Sequence, residues 1–218
     1  MLKQRVPETN EGIQGEVTVE LFNQYARFMR DRGWNNVSSF AAAGITGGHV
    51  LEIGPGPGYI GLEWLKLFPD AELTGIEISP AMIKTAQQNA AEYGFEKKTS
   101  YVQGNCMTMP FAACSFDAVF SNGSFHEWED PGRALNEIYR VLKNGGLFCI
   151  CDLRRNLSFL KKQMMYYSVK TKEIRPWFIS SLNAAYTVPE LEEIARKSPF
   201  SDFSVTELFS GICIKGKK

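Results

Sequence analysis

The chain has 218 residues, of which 44% are hydrophobic and 22% charged, values typical of one globular domain. Lys and Arg together number 24, as do Asp and Glu, so the net charge is zero. A neutral chain argues against broad binding of nucleic acid, which depends on phosphate neutralisation. Since no signal-peptide segment and no apolar run of roughly 18 residues is visible, we expect a cytoplasmic protein without a membrane span.

In chain order, apolar patterning predicts alternating strands and helices between residues 49 and 152. Strands are predicted at 49–53, 72–78, 99–104, 116–122 and 147–152. Helices are predicted at 59–68, after Ser79-Pro80, and from Asp130-Pro131 to the turn Asn144-Gly145-Gly146. The alternation predicts an α/β fold with a doubly wound, mostly parallel, Rossmann-like sheet of seven strands. Such sheets bind ligands at the carboxyl ends of their strands.

The flanking segments depart from this alternation. Residues 153–185 are rich in basic, aromatic and Met residues, and a helix is predicted at 157–170. Two closing strands after a helix at 188–198 predict an antiparallel edge. We therefore divide one predicted domain, 1–218, into an N-terminal helical cap at 1–40, a cofactor-binding core at 45–152, a helical lid insertion at 153–185, and a C-terminal helix with edge strands at 186–218.

The five cysteines show no paired spacing. Cys149 and Cys151 alternate within a predicted strand, so we expect both on one face as buried, reduced thiols. Two distant histidines and scattered cysteines do not have the spacing of metal ligands, and no metal is expected.

The stretch "VLEIGPGPG" at 50–58 places glycines and prolines directly behind a strand. Glycine permits a sharp turn and lets a ligand approach the backbone, while proline stiffens the loop. The result is a shelf of N–H groups at a helix N-terminus, which favours a carboxylate or phosphate. An alternative register, Gly56, Gly58 and Gly61, spells a dinucleotide fingerprint. It is disfavoured because the turn begins at Gly54 and Glu52 precedes it.

Further motifs follow in order: "LTGIEIS", "VQGNCMTMPF", "FDAVFSNGSFHEWEDP" and "ALNEIYRVLKNGGLF". With the glycine loop, they make the chain resemble the class I S-adenosylmethionine-dependent methyltransferases, in the subgroup with ubiquinone- and menaquinone-type enzymes. The resemblance covers roughly residues 45–152. It implies that S-adenosyl-L-methionine is bound, that S-adenosyl-L-homocysteine is released, and that a methyl group passes by in-line displacement to a small-molecule acceptor.

The resemblance also implies which residues contact the cofactor. Glu52 would orient the glycine loop and receive the ammonium group, directly or through water, and the carboxylate of Glu77 would accept from both ribose hydroxyls. Asn105 stands where the family usually has Asp, so we expect a retained but weaker contact with adenine. The remaining implied contacts are Gly54, Pro55, Gly56 and Gly58 at the methionine part, Ile78, Met82, Gly104 and Cys106 around adenine, and Ser121 and Asn122 beside the sulfonium.

The acceptor end has a weaker signature. His126, in "FHEWEDP", either shapes the pocket or acts as a general base, and Glu127 stands where relatives often have a second His. Tyr25, His126, Tyr166 and Trp177 are the expected acceptor contacts. The acceptor, the atom methylated and the oligomeric state stay open. The alternatives are an RNA or protein methyltransferase and a non-catalytic module that binds S-adenosylmethionine.

Overall fold

The computed structural model describes residues 4–8, 13, 15–169 and 172–218. The strands are β1 (His49–Ile53), β2 (Glu72–Glu77), β3 (Thr99–Gln103), β4 (Phe116–Asn122), β5 (Leu142–Leu153), β6 (Asp202–Glu207) and β7 (Gly211–Lys217). They form one sheet in the order β3-β2-β1-β4-β5-β7-β6. Only β7 runs antiparallel to its neighbours, β5 and β6. The predicted seven-stranded, mostly parallel sheet with an antiparallel hairpin at one edge is confirmed.

The helices are α1 (Glu16–Asp31), α2 (Val37–Ala42), α3 (Tyr59–Leu67), α4 (Pro80–Glu92), α5 (Pro131–Val141), α6 (Phe159–Ser168), α7 (Arg175–Ala184) and α8 (Val188–Arg196). Two predicted starts are confirmed by their caps. The Ser79 side chain accepts from the N–H of Met82, and that of Asp130 accepts from the N–H of Arg133. Across the described ranges, every helix is too short or too polar to cross a bilayer.

The junction between α5 and β5 differs from the prediction. The glycine pair Gly145-Gly146 was expected to end the helix, but α5 already ends at Val141 and β5 begins at Leu142. Leu142 is fully buried and pairs with Phe116, and the register of β4 shifts immediately after that pair. Gly145, with φ of 80°, adopts a left-handed conformation inside the strand. The glycines therefore shape an irregular strand instead of ending a helix.

The lid segment contains two helices where one was predicted at 157–170. Ser158 caps α6, and α7 follows it; residue 170 lies outside the described residues. Buried apolar side chains hold the segment together, and Tyr25 of α1 packs against them. The buried members of this cluster are Leu157, Val169, Ile174, Phe178 and Leu182. Helix α1 and the lid therefore share a small core of their own.

The cysteines of β5 lie on one buried face, as expected. The expectation that both are reduced thiols is wrong for Cys151, which forms a disulfide with Cys213 of β7. These two residues are direct partners across the antiparallel pair β5–β7, which brings their side chains together. Cys149 remains a thiol, and burial raises its pKa to about 12.

Candidate active site

A cavity of about 1220 Å³ opens where the parallel strands end. One wall is the loop after β1, residues 54–57, and another is formed by the ends of β2, β3 and β4. Helices α1, α6 and α7 close the other side. The cavity thus lies at the carboxyl edge of the sheet, where the winding direction reverses between β1 and β4.

The glycine loop turns sharply at each glycine. Gly54, Gly56 and Gly58 have φ values of 64°, 51° and 85°, which disfavour other residues. A Cβ atom on Gly54 would lie 2.7 Å from the side chain of Ser124. Ser124 Oγ lies 2.8 Å from Ser121 Oγ, which itself donates to the carbonyl of Ile53 at 2.8 Å. Gly54 is therefore required both by its conformation and by the close approach of the turn after β4.

Glu77 fixes the same loop from the next strand. Its Oε2 accepts from the N–H of Gly56 at 3.1 Å, and its Oε1 accepts from the N–H of Ser79 at 3.0 Å. Burial raises the pKa of Glu77, although the hydrogen bonds from these backbone N–H groups act to lower it. The side chain lines the cavity, and each oxygen of a carboxylate can accept more than one hydrogen bond. The two oxygens therefore suit a ligand with two neighbouring hydroxyl groups.

Glu52 lies behind the loop instead of in the cavity. It is 1% exposed, and a Cβ atom on Gly61 would clash with its Oε2. Burial raises the pKa of Glu52 to about 8, and the charge of Glu77 adds to the effect. Glu52 lies outside the cavity lining, so its expected contact with the ammonium group, directly or through water, stays a prediction. Three other expected contacts, Gly58, Ser121 and Tyr166, also lie outside the cavity lining.

The expected adenine contacts Ile78, Met82, Gly104, Asn105 and Cys106 all line the cavity. The side-chain oxygen of Asn105 already accepts from the N–H of Met107 at 2.8 Å, so one of its two lone pairs is used. Burial raises the pKa of the Cys106 thiol to about 12, so the thiol is neutral. Pro55 and Asn122 also line the cavity, and Asn122 Oδ1 accepts from Asn36 Nδ2 at 2.6 Å.

The cavity also contains an acidic cluster, which we define as Glu8, His126, Glu127 and Asp152. His126 Nδ1 lies 2.9 Å from Asp152 Oδ1, and the backbone N–H of His126 donates to Asp152 Oδ2 at 2.7 Å. His126 Nε2 lies 3.3 Å from Glu8 Oε2 and 3.8 Å from Glu127 Oε1. All four residues line the cavity. Sequence reasoning missed Asp152, although a polar residue at the end of a buried strand was a usable signal.

The charges of this cluster are strongly coupled. Burial alone would lower the pKa of His126, but Asp152, Glu8 and Glu127 together raise it to about 10. The surrounding carboxyl groups thus favour the protonated ring, which argues against the general-base role considered for it. Burial raises the pKa of Glu127 to about 7, although the His126 charge opposes this. Glu127 is thus the member of the cluster that can exchange a proton near neutral pH.

Donor atoms of Glu8, His126 and Glu127 lie within 4.8 Å of one another, a span that also suits a metal ion. Sequence spacing could not show this group, because Glu8 and His126 are far apart in the chain. A metal ion would compete with a proton for Nε2, and we describe the group by its observed contacts as an ion-pair cluster. A second group, Cys149, Cys151 and Cys213, contains the disulfide.

The N-terminal segment 4–8 completes the wall around this cluster. Arg5 donates through Nη2 to the carbonyl of His126 at 2.8 Å and through Nε to the carbonyl of Ala184 at 2.6 Å. The N–H of Val6 donates to the carbonyl of Asn183 at 3.1 Å. The side chain of Ser181 donates to Glu8 Oε2 at 3.3 Å. These contacts connect the segment both to α7 and to the acidic cluster.

The part of the cavity wall formed by α1, α6 and α7 contains several large apolar side chains. Tyr25 and Trp177, which we predict to contact the acceptor, line this part together with Met164, Met165 and Phe178. Tyr166, also expected to contact the acceptor, packs in the lid cluster, with Arg175 over its ring at 5.0 Å. Aromatic and Met side chains beside a charged cluster suit a molecule that is largely apolar with one polar edge.

The sheet order, the loop held by Glu77 and the cavity before it define a Rossmann-like protein that binds a nucleoside cofactor. Residues 51–150 match the family model described as "Methyltransferase domain". The core of the chain is thus similar to methyltransferase domains, and S-adenosylmethionine-dependent methyltransferases of solved structure share its fold.

Three comparisons support this assignment. A demethylmenaquinone methyltransferase of Porphyromonas gingivalis is 29% identical over 156 residues, covering 67% of this chain and 64% of the relative. An uncharacterized methyltransferase of Bacillus subtilis is 38% identical over 104 residues, covering 47% of this chain and 55% of the relative. This chain therefore spans less than two thirds of the length of both relatives. A structure of a methyltransferase-like protein of Methanococcus maripaludis superposes with a TM-score of 0.75 at 22% identity, covering 100% of this chain and 97% of that one.

Proposed function

We propose that this chain transfers a methyl group from S-adenosylmethionine to a small aromatic acceptor of the quinol type. The observation that carries the proposal is the position of the acidic cluster, which lies in the same cavity as the glycine loop and Glu77. A hydroxyl-bearing ring can therefore lie beside the cofactor, against apolar lid side chains. The name of the Porphyromonas gingivalis relative, demethylmenaquinone methyltransferase, supports an acceptor derived from a quinone.

For the cofactor, we assign the ribose hydroxyls to the free acceptor positions of Glu77 and the methionine part to the N–H groups of the loop at Gly54 and Gly56. Ile78 and Met82 are assigned to the adenine ring, with Asn105 offering its remaining lone pair to the edge of adenine. Glu52 supports the loop from behind. The fit rests on the orientation of Glu77, whose two oxygens are fixed by backbone N–H groups but still face the cavity.

When bound, the cofactor supplies an electrophilic methyl group on a sulfonium. A quinol becomes a stronger nucleophile after one hydroxyl proton is removed, and Glu127 is suited to take that proton because its pKa lies near 7. The protonated ring of His126 stabilises the oxygen that becomes negative, while Asp152 fixes the ring orientation. We predict that the methyl group is transferred by in-line displacement. Alignment of the acceptor with the methyl group alone supplies a large part of the rate acceleration in such reactions.

A second candidate is an amine acceptor, which one observation favours. The acidic cluster holds three carboxyl groups, of Glu8, Glu127 and Asp152, against one imidazole. An ammonium group would be attracted to such a site, and Glu127 could remove its proton before transfer.

The test uses purified protein, S-adenosylmethionine with a deuterated methyl group, and a panel of quinols, phenols, amines, RNA and peptides. Mass spectrometry then identifies the acceptor that gains the label. We expect a quinol to gain one labelled methyl while S-adenosylhomocysteine accumulates, and we expect Glu127→Gln to lose this reaction. Labelling of amines alone would favour the second candidate. Cofactor binding with no labelled acceptor would support the alternative of a non-catalytic module.

A further inference from the structure

A buried polar side chain outside the cavity lining contacts the glycine loop. Asn89 lies on α4 and is 2% exposed. Its Nδ2 donates to the carbonyl of Pro57 at 2.7 Å and to Oδ1 of Asn23 at 3.2 Å. A backbone carbonyl only accepts hydrogen bonds, so the nitrogen of the amide must face Pro57. The asparagine thus uses both of its amide protons to join the loop to helix α1.

Two helices fix the orientation of this amide. Oδ1 of Asn89 accepts from the hydroxyl of Tyr59, the first residue of α3, at 3.2 Å. The same hydroxyl accepts from Nε of Arg27 on α1 at 3.0 Å, which leaves its own proton for the asparagine. A buried amide with three hydrogen-bond partners has one favourable orientation. The contacts between α1, α3 and α4 therefore determine where the carbonyl of Pro57 lies.

The hydrogen bond that Pro57 accepts is the first of a chain that ends at Glu77. The carbonyl of Pro57 and the N–H of Gly58 belong to one planar peptide unit, and this N–H donates to the carbonyl of Pro55 at 2.9 Å. The carbonyl of Pro55 and the N–H of Gly56 belong to a second planar unit, whose N–H donates to Oε2 of Glu77 at 3.1 Å. Rotation of either unit weakens the hydrogen bond that follows it. The orientation of the asparagine thus reaches the carboxylate through two peptide units.

We propose that Asn89 is a positioning residue for the cofactor: by fixing Pro57, it keeps the carboxylate of Glu77 in the orientation that accepts from the ribose hydroxyls. The inference rests on the part of the proposed function that assigns the ribose to Glu77, and it does not depend on the acceptor. Of the two backbone N–H groups described above, that of Ser79 lies two residues from the carboxylate, whereas that of Gly56 belongs to another segment. Release of the loop therefore removes the contact that fixes the carboxylate from outside its own strand.

Isothermal titration calorimetry of the full-length protein measures the affinity for S-adenosylhomocysteine in the parent, in Asn89→Leu, in Glu77→Ala and in the double variant. Leucine keeps the branched shape of asparagine but has no hydrogen-bonding atom. The matched control is Thr74→Val, at a side chain 5% exposed in the first half of β2. Its hydroxyl lies 2.9 Å from Nε2 of His49 and 2.9 Å from Oγ of Ser100, so this variant also breaks buried hydrogen bonds, but away from the loop. Thermal unfolding shows whether each variant is folded.

We expect Asn89→Leu to weaken binding at least about tenfold, because it leaves the loop without a hydrogen bond that fixes it. Thr74→Val should bind as the parent does, even where it unfolds at a lower temperature. If Asn89 acts through Glu77, the two substitutions are not independent, and Asn89→Leu should cost less than about threefold in affinity when Glu77 is already alanine.

Three outcomes of the titrations would overturn the proposal. The first is a folded Asn89→Leu protein with the affinity of the parent. The second is an equal loss of affinity in Thr74→Val, which would assign the effect to general stability. The third is a full tenfold loss that persists when Glu77 is alanine, because the effect would then bypass the carboxylate.

A measurement without ligand tests the hydrogen-bond chain directly. The amide proton signals of Gly56 and Gly58 in NMR spectra depend on the strength of the hydrogen bonds that these groups donate. We expect both signals to move upfield in Asn89→Leu and to keep their positions in Thr74→Val. Unmoved signals in a folded Asn89→Leu protein would overturn the proposal.

Asn23→Ala is a milder variant, because it removes one acceptor of the Asn89 amide and leaves the bond to the loop in place. We expect the same two signals to move by smaller amounts, and the affinity for S-adenosylhomocysteine to fall about threefold. If Asn89→Leu does not fold, unchanged signals and affinity in Asn23→Ala overturn the proposal.

The same titrations separate this inference from the proposed function. A weakened Glu77→Ala protein beside an unchanged Asn89→Leu protein removes the role of Asn89 and leaves the ribose assignment. Binding results as expected, with no transfer to any quinol, remove the proposed acceptor and leave the role of Asn89. Affinity of the parent in Glu77→Ala would remove the ribose assignment and the role of Asn89 together.

Discussion

The backbone N–H of Gly56 donates to Oε2 of Glu77 over 3.1 Å, although 21 residues separate them. The other oxygen of the same carboxylate accepts from the N–H of Ser79. One side chain therefore joins the loop after β1 to the loop after β2. The residue that we assign to the ribose also holds the loop that we assign to the methionine part, so the two halves of the proposed cofactor site form one unit.

Glu77→Ala is expected to weaken binding of S-adenosylhomocysteine about 100-fold or more, because hydrogen bonds to a charged group contribute about 1.5–3 kcal/mol each. Isothermal titration calorimetry measures the affinity, and thermal unfolding reports whether the fold persists. Glu72→Ala, at the exposed opposite end of the same strand, is the control and should bind normally. A folded Glu77→Ala protein with the affinity of the parent would contradict the assignment.

Glu52 should make stability depend on pH. Its pKa is about 8 in the folded protein against an ordinary value of 4.5. Between these values the folded state holds a proton that the unfolded state has released. The free energy of unfolding therefore falls as pH rises from about 4.5 to about 8 and levels off above that, and the total change has an upper bound of about 5 kcal/mol.

Glu52→Gln removes the titrating group, so its stability should vary less over this pH range than that of the parent. Urea unfolding at a series of pH values gives the two curves, and their difference isolates Glu52. Glu72→Gln provides the exposed control. Parallel curves for the parent and Glu52→Gln would show that the folded protein does not hold this proton.

Glu127→Gln is expected to lower kcat by about 100-fold or more, with little change in affinity for S-adenosylhomocysteine, because a general base typically contributes 10²–10⁴-fold. In the parent, kcat/KM should rise with pH up to about 7, where Glu127 loses its proton, and then level off. Glu96→Gln, at an exposed position, should behave as the parent. If the rise of kcat/KM towards pH 7 disappears in Glu127→Gln but persists in Glu96→Gln, Glu127 is the base. A pH profile of Glu127→Gln with the same shape as that of the parent would exclude it.

Asp152→Asn should lower the pKa of His126, since it removes the charge that does most to offset the effect of burial. The imidazole signals in an NMR titration measure this pKa without any assay of activity. Asp130→Asn, which retains the helix cap of α5 and lies away from the ring, should leave it unchanged. An unshifted His126 resonance in Asp152→Asn would mean that Glu8 and Glu127 alone keep the ring protonated.

The disulfide between Cys151 and Cys213 predicts the number of reactive thiols. When the oxidised protein is unfolded without reductant, three of its five cysteines should react with an alkylating reagent. Cys213→Ser should lose about 2–4 kcal/mol of stability, typical of a natural cross-link. Cys114→Ser, at an exposed thiol, is the matched control. Five reactive thiols would show that the bond does not form.

Local patterns predicted much of the sheet. The bounds of β1 and β4 follow from short apolar runs, and the starts of α4 and α5 follow from a capping side chain before proline. The α5–β5 junction was misplaced because the pairing of Leu142 with Phe116 overrides the local signal of two glycines. Tertiary pairing of this kind leaves no mark on the sequence near the junction.

The parts of the candidate site that are formed by residues close together in the sequence could be predicted. The parts that are formed by distant segments of the chain could not. Glu77 and the glycine loop have recognisable positions after strands. The sequence did not show towards which face of the sheet Glu52 points. Strand β1 is buried on both faces, so its residues do not alternate between apolar and polar. Glu8 lies beside His126 because residues 4–8 fold back against the cavity wall, which no local pattern predicts. Cys213 lies beside Cys151 because the two residues are direct partners in the pairing of β5 with β7.

The hydrogen bonds of Arg5 with the carbonyls of His126 and Ala184 fasten residues 4–8 to the wall of the cavity. Because Arg5 itself does not line the cavity, its contacts influence the position of Glu8 beside His126 from outside. The geometry of the acidic cluster therefore depends on a side chain that a ligand never touches.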